Sequence, residues 1–115
     1  MNANDYQSAA ARTLIPEPDS DYSAREIMIV WNALGLAGEA GEVADTVKKA
    51  VFHRHGLDHD ELIKELGDVL WYVAALCTKL EVSLDEIMAR NIAKLEKRYP
   101  SGYNSADSKA RVDTL

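Results

Sequence analysis

Two pairs of carboxylates recur at one spacing in this sequence, Glu39 with Glu42 and Glu65 with Asp68. Residues three apart on a helix are neighbours on its surface. Where two such helices lie antiparallel, four carboxylates can converge on one point, and oxygen-only ligation favours Mg²⁺, or Mn²⁺ in its place, over zinc. The alternative is a solvated acidic face, the usual fate of this spacing. The metal-binding interpretation is favoured here because both pairs border apolar stripes and lie close to glycines.

Three glycines, Gly35, Gly38 and Gly41, are three residues apart within an otherwise helical segment. Each costs about 1 kcal/mol relative to alanine in a helix interior. Glycines kept at this cost indicate that backbone, side chain or ligand approaches the helix closely. We therefore predict that Gly38 and Gly41 clear space around the first acidic pair.

A cationic stripe lies further along the chain, where Asn91, Lys94 and Arg98 follow one another at helical spacing. Arginine offers a two-pronged fork and lysine a point charge to phosphate oxygens. Lys49 extends the face of the first acidic pair and could assist. Alone, such a stripe is more often solvated surface, but opposed charges at one pocket predict a phosphate ligand.

The helices that must position these residues are predicted from their N-terminal caps. Three segments have the capping-box form, in which two backbone N–H groups at a helix start are satisfied reciprocally: Ser23 with Glu26, Asp58 with Glu61, and Ser83 with Glu86. The predicted helices run from 24 to the early fifties, 59–80 and 84–99, with a shorter one near 4–13. No segment alternates as a strand does. The fold class is therefore all-α, an antiparallel bundle of about four helices over 1–100, with residues 101–115 as a C-terminal arm or tail.

The helix predicted over 59–80 is apolar on nearly its whole circumference, with Trp71 opposite the main apolar stripe. A chain of 115 residues rarely covers both sides of such a helix by itself. We therefore predict a homodimer or homotetramer, the alternative being that the N-terminal helix covers this side. Cys77, the sole cysteine, is predicted to be a buried thiol.

Composition excludes several classes of function. The formal charge of −6 argues against general nucleic-acid binding, which requires basic stripes. No apolar run approaches the roughly 20 residues that cross a bilayer, and the N-terminus lacks the apolar core of a secretory signal. The expected location is the cytoplasm, with no membrane partner.

Three stretches carry a family resemblance: GLAGEAGEVADTVKKA, ELGDVLWYVAAL and SLDEIMARNIAKLEKRYPSGY. Together they closely resemble the MazG-like nucleoside triphosphate pyrophosphohydrolases of the all-α pyrophosphatase superfamily. The resemblance implies an oligomeric helical bundle and Mg²⁺-dependent cleavage of a nucleoside triphosphate between the α and β phosphorus atoms. It also implies which residues act: the metal ligands are Glu39, Glu42, Glu65 and Asp68, and the phosphate side consists of Asn91, Lys94 and Arg98.

One position departs from the family pattern. Gly38 stands where many relatives have a second glutamate, which leaves open the number of metal ions and the base that activates water. Glu39 could orient that water. Asn32 lies two turns before Glu39 on the same side and could bind the base or sugar, while Trp71 is a candidate for stacking on the base.

Three other classes of protein compete with this enzyme. A di-iron bundle is disfavoured because no histidine follows a glutamate at E-x-x-H spacing. A non-catalytic helical dimer that binds nucleotides or a protein partner stays open. So does an enzyme like the phosphoribosyl-ATP pyrophosphohydrolases, which share the chemistry and differ in substrate.

Overall fold

A computed structural model describes residues 1–17 and 22–114 of the chain. Within these ranges the secondary structure is helical and contains no strand, as predicted. The elements are α1 (Ala3–Ala11), α2 (Ala24–Phe52), α3 (His59–Leu80), α4 (Leu84–Arg98), α5 (Ser105–Ala110) and a 3-10 turn over Val112–Thr114. No helix in the described ranges is both long and apolar enough to cross a membrane.

All three predicted N-caps form, and of these the Ser23 cap has the reciprocal bond of a capping box. Ser23 Oγ accepts the backbone N–H of Glu26, and the Glu26 carboxylate accepts the backbone N–H of Ser23, both at 3.1 Å. Asp58 and Ser83 likewise accept the N–H three residues ahead of them, at 3.1 Å each. These bonds satisfy amide groups that the first helical turn leaves without partners, so three of the helix starts are settled by local sequence.

Helices α2 and α3 form an antiparallel hairpin, the one extensive contact between long helices in the described ranges. Its direction follows from paired contacts, since Gly35 meets Tyr72 whereas Thr46, further along α2, meets Glu65, earlier on α3. Cys77 is buried as predicted. This hairpin is the scaffold that carries both acidic pairs.

The other described helices are not packed extensively on the hairpin. Helix α4 packs against α5 and the 3-10 turn, and α1 buries no residue. The radius of gyration is 20.3 Å, against about 13 Å for a compact domain of this length. The alternative in which the N-terminal helix covers the back of α3 is therefore not what the structure shows.

The C-terminal residues hold structure that their polar, aperiodic sequence did not predict. Asn104 caps α5 by accepting the backbone N–H of Asp107 at 2.7 Å. Arg98, at the end of α4, donates to the carbonyl oxygen and Oγ of Ser108 at 3.3 Å each. These contacts join the C-terminal segment to α4.

Candidate active site on the α2–α3 hairpin

The hairpin brings the two acidic pairs together. Glu39 and Glu42 are one turn apart on α2, and Glu65 and Asp68 are one turn apart on α3. Glu39 and Asp68 line the same open depression, together with Trp71. One carboxylate of each pair therefore lies at the same depression of a single chain.

Like charges crowd the carboxylate of Glu39. Its pKa is raised above the ordinary value, first because its burial penalises the charged form and then because the carboxylates of Glu42 and Asp68 repel it. Glu65 adds a smaller contribution of the same sign. Such repulsion opposes ionisation of the group, and a bound cation would reverse it.

Two carboxylate oxygens in this cluster are buried without a partner. Glu39 Oε2, on α2, and Glu65 Oε2, on α3, are shielded from solvent and accept no hydrogen bond from the described residues. The other oxygen of Glu65 accepts the hydroxyl of Thr46 at 2.8 Å. An unpartnered buried carboxylate oxygen is costly and calls for an explanation, of which an absent ion is one.

The side chains as they stand do not form a finished metal cage. In the described ranges, no group of three or more Asp, Glu, His or Cys side chains is arranged so that it could hold a metal ion. The cluster nevertheless fits a hard divalent cation in two respects, its all-oxygen donors and its two unpartnered buried oxygens.

Of the three glycines in α2, one has a visible packing reason. A Cβ atom added at Gly35 would lie 2.5 Å from Cζ and 2.8 Å from Cδ1 of the Tyr72 ring. Real Cβ atoms do not come that close, so the ring can sit on α2 only because position 35 lacks a side chain. Gly38 and Gly41 have no atom of the described chain within 4 Å of such a Cβ, so they face open space.

An aromatic wall adjoins the acidic residues. Trp71 and Tyr72 meet edge to face, with ring centroids 5.0 Å apart and an interplanar angle of 85°. Both also line a second depression with Asn32, the buried polar residue of α2, whose Nδ2 donates to the carbonyl oxygen of Met28 at 2.7 Å. The predicted nucleoside contacts, Asn32 and Trp71, therefore lie on one side of the acidic cluster.

The predicted phosphate contacts are not brought to the acids within one chain. Asn91 and Lys94 are exposed on α4, which is not packed on the hairpin in the described ranges. Arg98 is 19% exposed and pairs with Asp113, whose side chain is 1% exposed, at 3.7 Å. Lys49 is paired with Asp45 at 2.8 Å, an ion pair that raises the pKa of the lysine.

Two contacts at or near the site escaped sequence analysis. Thr46 carries no motif of its own, although its position four residues after Glu42 puts it on the acidic face of α2. Asp113 lies in an aperiodic segment, and nothing in the local sequence couples it to Arg98. Both contacts join residues that only tertiary packing makes neighbours.

Comparison with known proteins gives two kinds of match. A family model described as the MazG nucleotide pyrophosphohydrolase domain matches residues 31–103. The chain is 40% identical over 106 residues to the Gene 37 protein of Mycobacterium phage L5, covering 89% of this chain and 92% of the phage protein. It is 36% identical over 73 residues to the uncharacterized protein YvdC of Bacillus subtilis (strain 168), covering 56% of this chain and 69% of that protein. No solved structure matches the chain with significance.

Proposed function

This chain belongs to the MazG nucleotide pyrophosphohydrolase family, and from that premise we propose that it cleaves nucleoside triphosphates between the α and β phosphates. The products are a nucleoside monophosphate and pyrophosphate, from ribo- or deoxyribonucleotides. The proposed cofactor is Mg²⁺, with Mn²⁺ as a substitute. The proposed location is the cytoplasm.

One observation carries the proposal: the unpartnered, buried oxygens of Glu39 and Glu65 lie on the adjoining helices α2 and α3. Water or a neighbouring donor would normally satisfy such oxygens. The pKa of Glu39 points the same way: burial raises it first and the carboxylates of Glu42 and Asp68 raise it further, so the described residues concentrate negative charge there. A bound divalent cation would supply the missing partner of these oxygens and would neutralise the excess negative charge.

The roles of the residues follow from these positions. Glu39, Glu42, Glu65 and Asp68 hold the cation, which when bound supplies charge neutralisation for phosphate oxygens and activates water. Glu39 is also proposed to orient that water. Trp71 offers its exposed ring for stacking on the base.

Asn32 is proposed to bind the nucleoside through a hydrogen bond. Its Nδ2 is already committed to Met28, which holds the amide in one orientation and directs its Oδ1 as an acceptor. A fixed acceptor beside the Trp71 ring would accept a hydrogen bond from an amino group of the base or a hydroxyl of the sugar. Burial makes that bond selective, because a ligand lacking the donor leaves the oxygen unsatisfied.

The phosphate side is proposed to come from a second copy of the chain. Large apolar side chains on α2 are uncovered in one chain, among them Trp31 at 67% and Leu34 at 68% exposure. Contiguous apolar surface of this kind marks an interaction site. We propose that a homodimer or homotetramer covers it and brings Asn91, Lys94 and Arg98 of a neighbouring α4 to the acidic cluster.

The deciding experiment measures products with Mg²⁺ and a panel of ribo- and deoxyribonucleoside triphosphates, plus phosphoribosyl-ATP. Chromatography should find monophosphate and pyrophosphate in equal amounts, with neither diphosphate nor orthophosphate. Turnover of phosphoribosyl-ATP alone would assign the related enzyme class. Nucleotide binding without turnover of any substrate would favour a non-catalytic binding module and refute the proposal.

Assembly is tested separately by light scattering on the eluted protein. We expect a mass of two or four chains of 12.7 kDa. Leu34→Glu should shift the mass towards a single chain, because a carboxylate cannot be buried in an apolar contact without a large penalty. Lys64→Glu, which introduces a carboxylate at an exposed position of α3, is the control. A monomeric native protein would contradict the proposed origin of the phosphate contacts.

A further inference from the structure

Thr46 stands out among the residues around the acidic cluster because its hydroxyl crosses between helices. Its Oγ1 donates to Oε1 of Glu65 at 2.8 Å. Within the described ranges this is the one side-chain hydrogen bond that joins α2 to α3. The contact is partly buried, so water competes with it less than at an open surface.

The usual behaviour of a helical threonine makes this contact informative. Inside helices, threonine commonly returns its hydroxyl to the carbonyl four residues before it. Thr78 does so on α3, donating to the carbonyl oxygen of Ala74 at 3.2 Å. Thr46 instead directs its hydroxyl to the neighbouring helix. The difference lies in what faces it, a carboxylate of the proposed metal site.

The hydrogen bond from Thr46 places the two carboxylate oxygens of Glu65 in different environments. Oε1 is occupied by Thr46, while Oε2 is buried and has no partner in the described chain. Glutamate has three rotatable side-chain bonds, so a fixed Oε1 restricts where Oε2 can be. Outer groups that orient metal ligands in this way are general in metal sites.

We infer that Thr46 is a positioning residue, which holds the Glu65 carboxylate so that Oε2 is presented to a divalent cation. The inference rests on the metal assignment of the proposed function and adds to it a residue outside the acidic set. Thr46 touches neither cation nor substrate in this role. Its effect is on the affinity of the site for metal, through Glu65.

The test measures Mn²⁺ binding to the full chain by the loss of the free-ion paramagnetic resonance signal, without nucleotide. Thr46→Val keeps the shape of the side chain and removes the donor, so we expect an affinity about 10-fold weaker. Thr46→Ser keeps the hydroxyl and should stay within about 3-fold of the unsubstituted protein. Thr78→Val is the matched control, the same exchange on the same hairpin, and should leave Mn²⁺ binding unchanged.

Circular dichroism on each variant separates metal affinity from folding. If Thr46→Val unfolds the hairpin, Thr46→Ala removes the donor with a smaller side chain and replaces it in the comparison. Unchanged Mn²⁺ affinity in a folded variant without the hydroxyl, beside normal binding by the unsubstituted chain, overturns the inference and leaves the proposed function standing. Absence of Mn²⁺ binding by the unsubstituted chain overturns both.

Discussion

Replacing Gly35 by alanine should separate the two effects that a glycine has in a helix. Alanine gains about 1 kcal/mol of helix stability over glycine at any interior position. At Gly35 the new Cβ would lie 2.5 Å from Tyr72 Cζ, at least about 1 Å inside the normal carbon contact. Overpacking of that size costs about 1 to 3 kcal/mol. Gly35→Ala should therefore be neutral or destabilising, by up to about 2 kcal/mol.

Gly38→Ala is the matched control, because nothing lies within 4 Å of its added Cβ. Gly38→Ala should gain the full helix stability of about 1 kcal/mol. The free energies of unfolding of the two variants should therefore differ by about 1 to 3 kcal/mol. Urea unfolding followed by circular dichroism measures this difference, and 2 kcal/mol corresponds to roughly 1 M in the midpoint. All proteins are compared at one chain concentration, since association shifts the midpoint.

A double-mutant cycle then assigns the cost to the ring. With Tyr72→Ala as background, Gly35→Ala should become stabilising by about 1 kcal/mol, as at Gly38. Equal stability changes at Gly35 and Gly38 in the native background would refute the close contact. A Gly35→Ala penalty that survives the removal of Tyr72 would refute its assignment to this ring.

The remaining predictions concern the metal ligands, the end of α4 and the cap of α2. Glu65→Ala or Asp68→Ala should abolish Mg²⁺-dependent turnover with the helical circular dichroism signal retained, and near-normal rates would argue against the metal assignment. Arg98→Ala should raise the KM for triphosphate; an unchanged KM with lowered stability would restrict Arg98 to anchoring the C-terminal segment. Ser23→Ala should lower stability by about 1 kcal/mol at pH 7. The backbone N–H of Ser23, and then its hydroxyl, lower the pKa of Glu26 from 4.5, so the Glu26 contribution is present above pH 4.5 and lost as pH falls through the lowered value. A Glu26→Ala penalty that stays constant from pH 7 to 3 would contradict the reciprocal cap.

The helices and the spacing of the acidic pairs follow from the order of residues along the chain. Helix starts depend on bonds between residues three apart, such as Ser23 with Glu26, and such pairs are visible in a linear sequence. The neighbourhood of Glu39 and Glu42 likewise follows from the helical period alone. All-helical structure was predicted correctly on this basis, and family membership was predicted correctly from the resemblance of three stretches of the sequence.

Contacts between residues that are distant in the sequence could not be predicted from helical spacing. Periodicity treated the three glycines alike, yet only Gly35 meets a ring in the described chain, because only it lies opposite Tyr72 in the hairpin register. The stripe on α4, predicted to share a pocket with the acids, is not packed on the hairpin in the described chain, so the sequence pattern alone did not show that a second chain is needed for that prediction. Arg98 illustrates the same limit, because its partner Asp113 follows 15 residues later in a segment without pattern.

The division has a physical cause. Hydrogen bonds within a helix join residues four apart, and where a helix begins depends on local propensity and caps. Which side chains of α2 contact those of α3 depends on the relative translation and rotation of the two helices. Apolar packing between the helices sets this register, and no short sequence pattern encodes it. Local sequence therefore decided where the carboxylates sit along each helix. The packing of the hairpin decided that Thr46 donates a hydrogen bond to Glu65. It also decided that Oε2 of Glu39 and Oε2 of Glu65 are buried without a partner in the described chain.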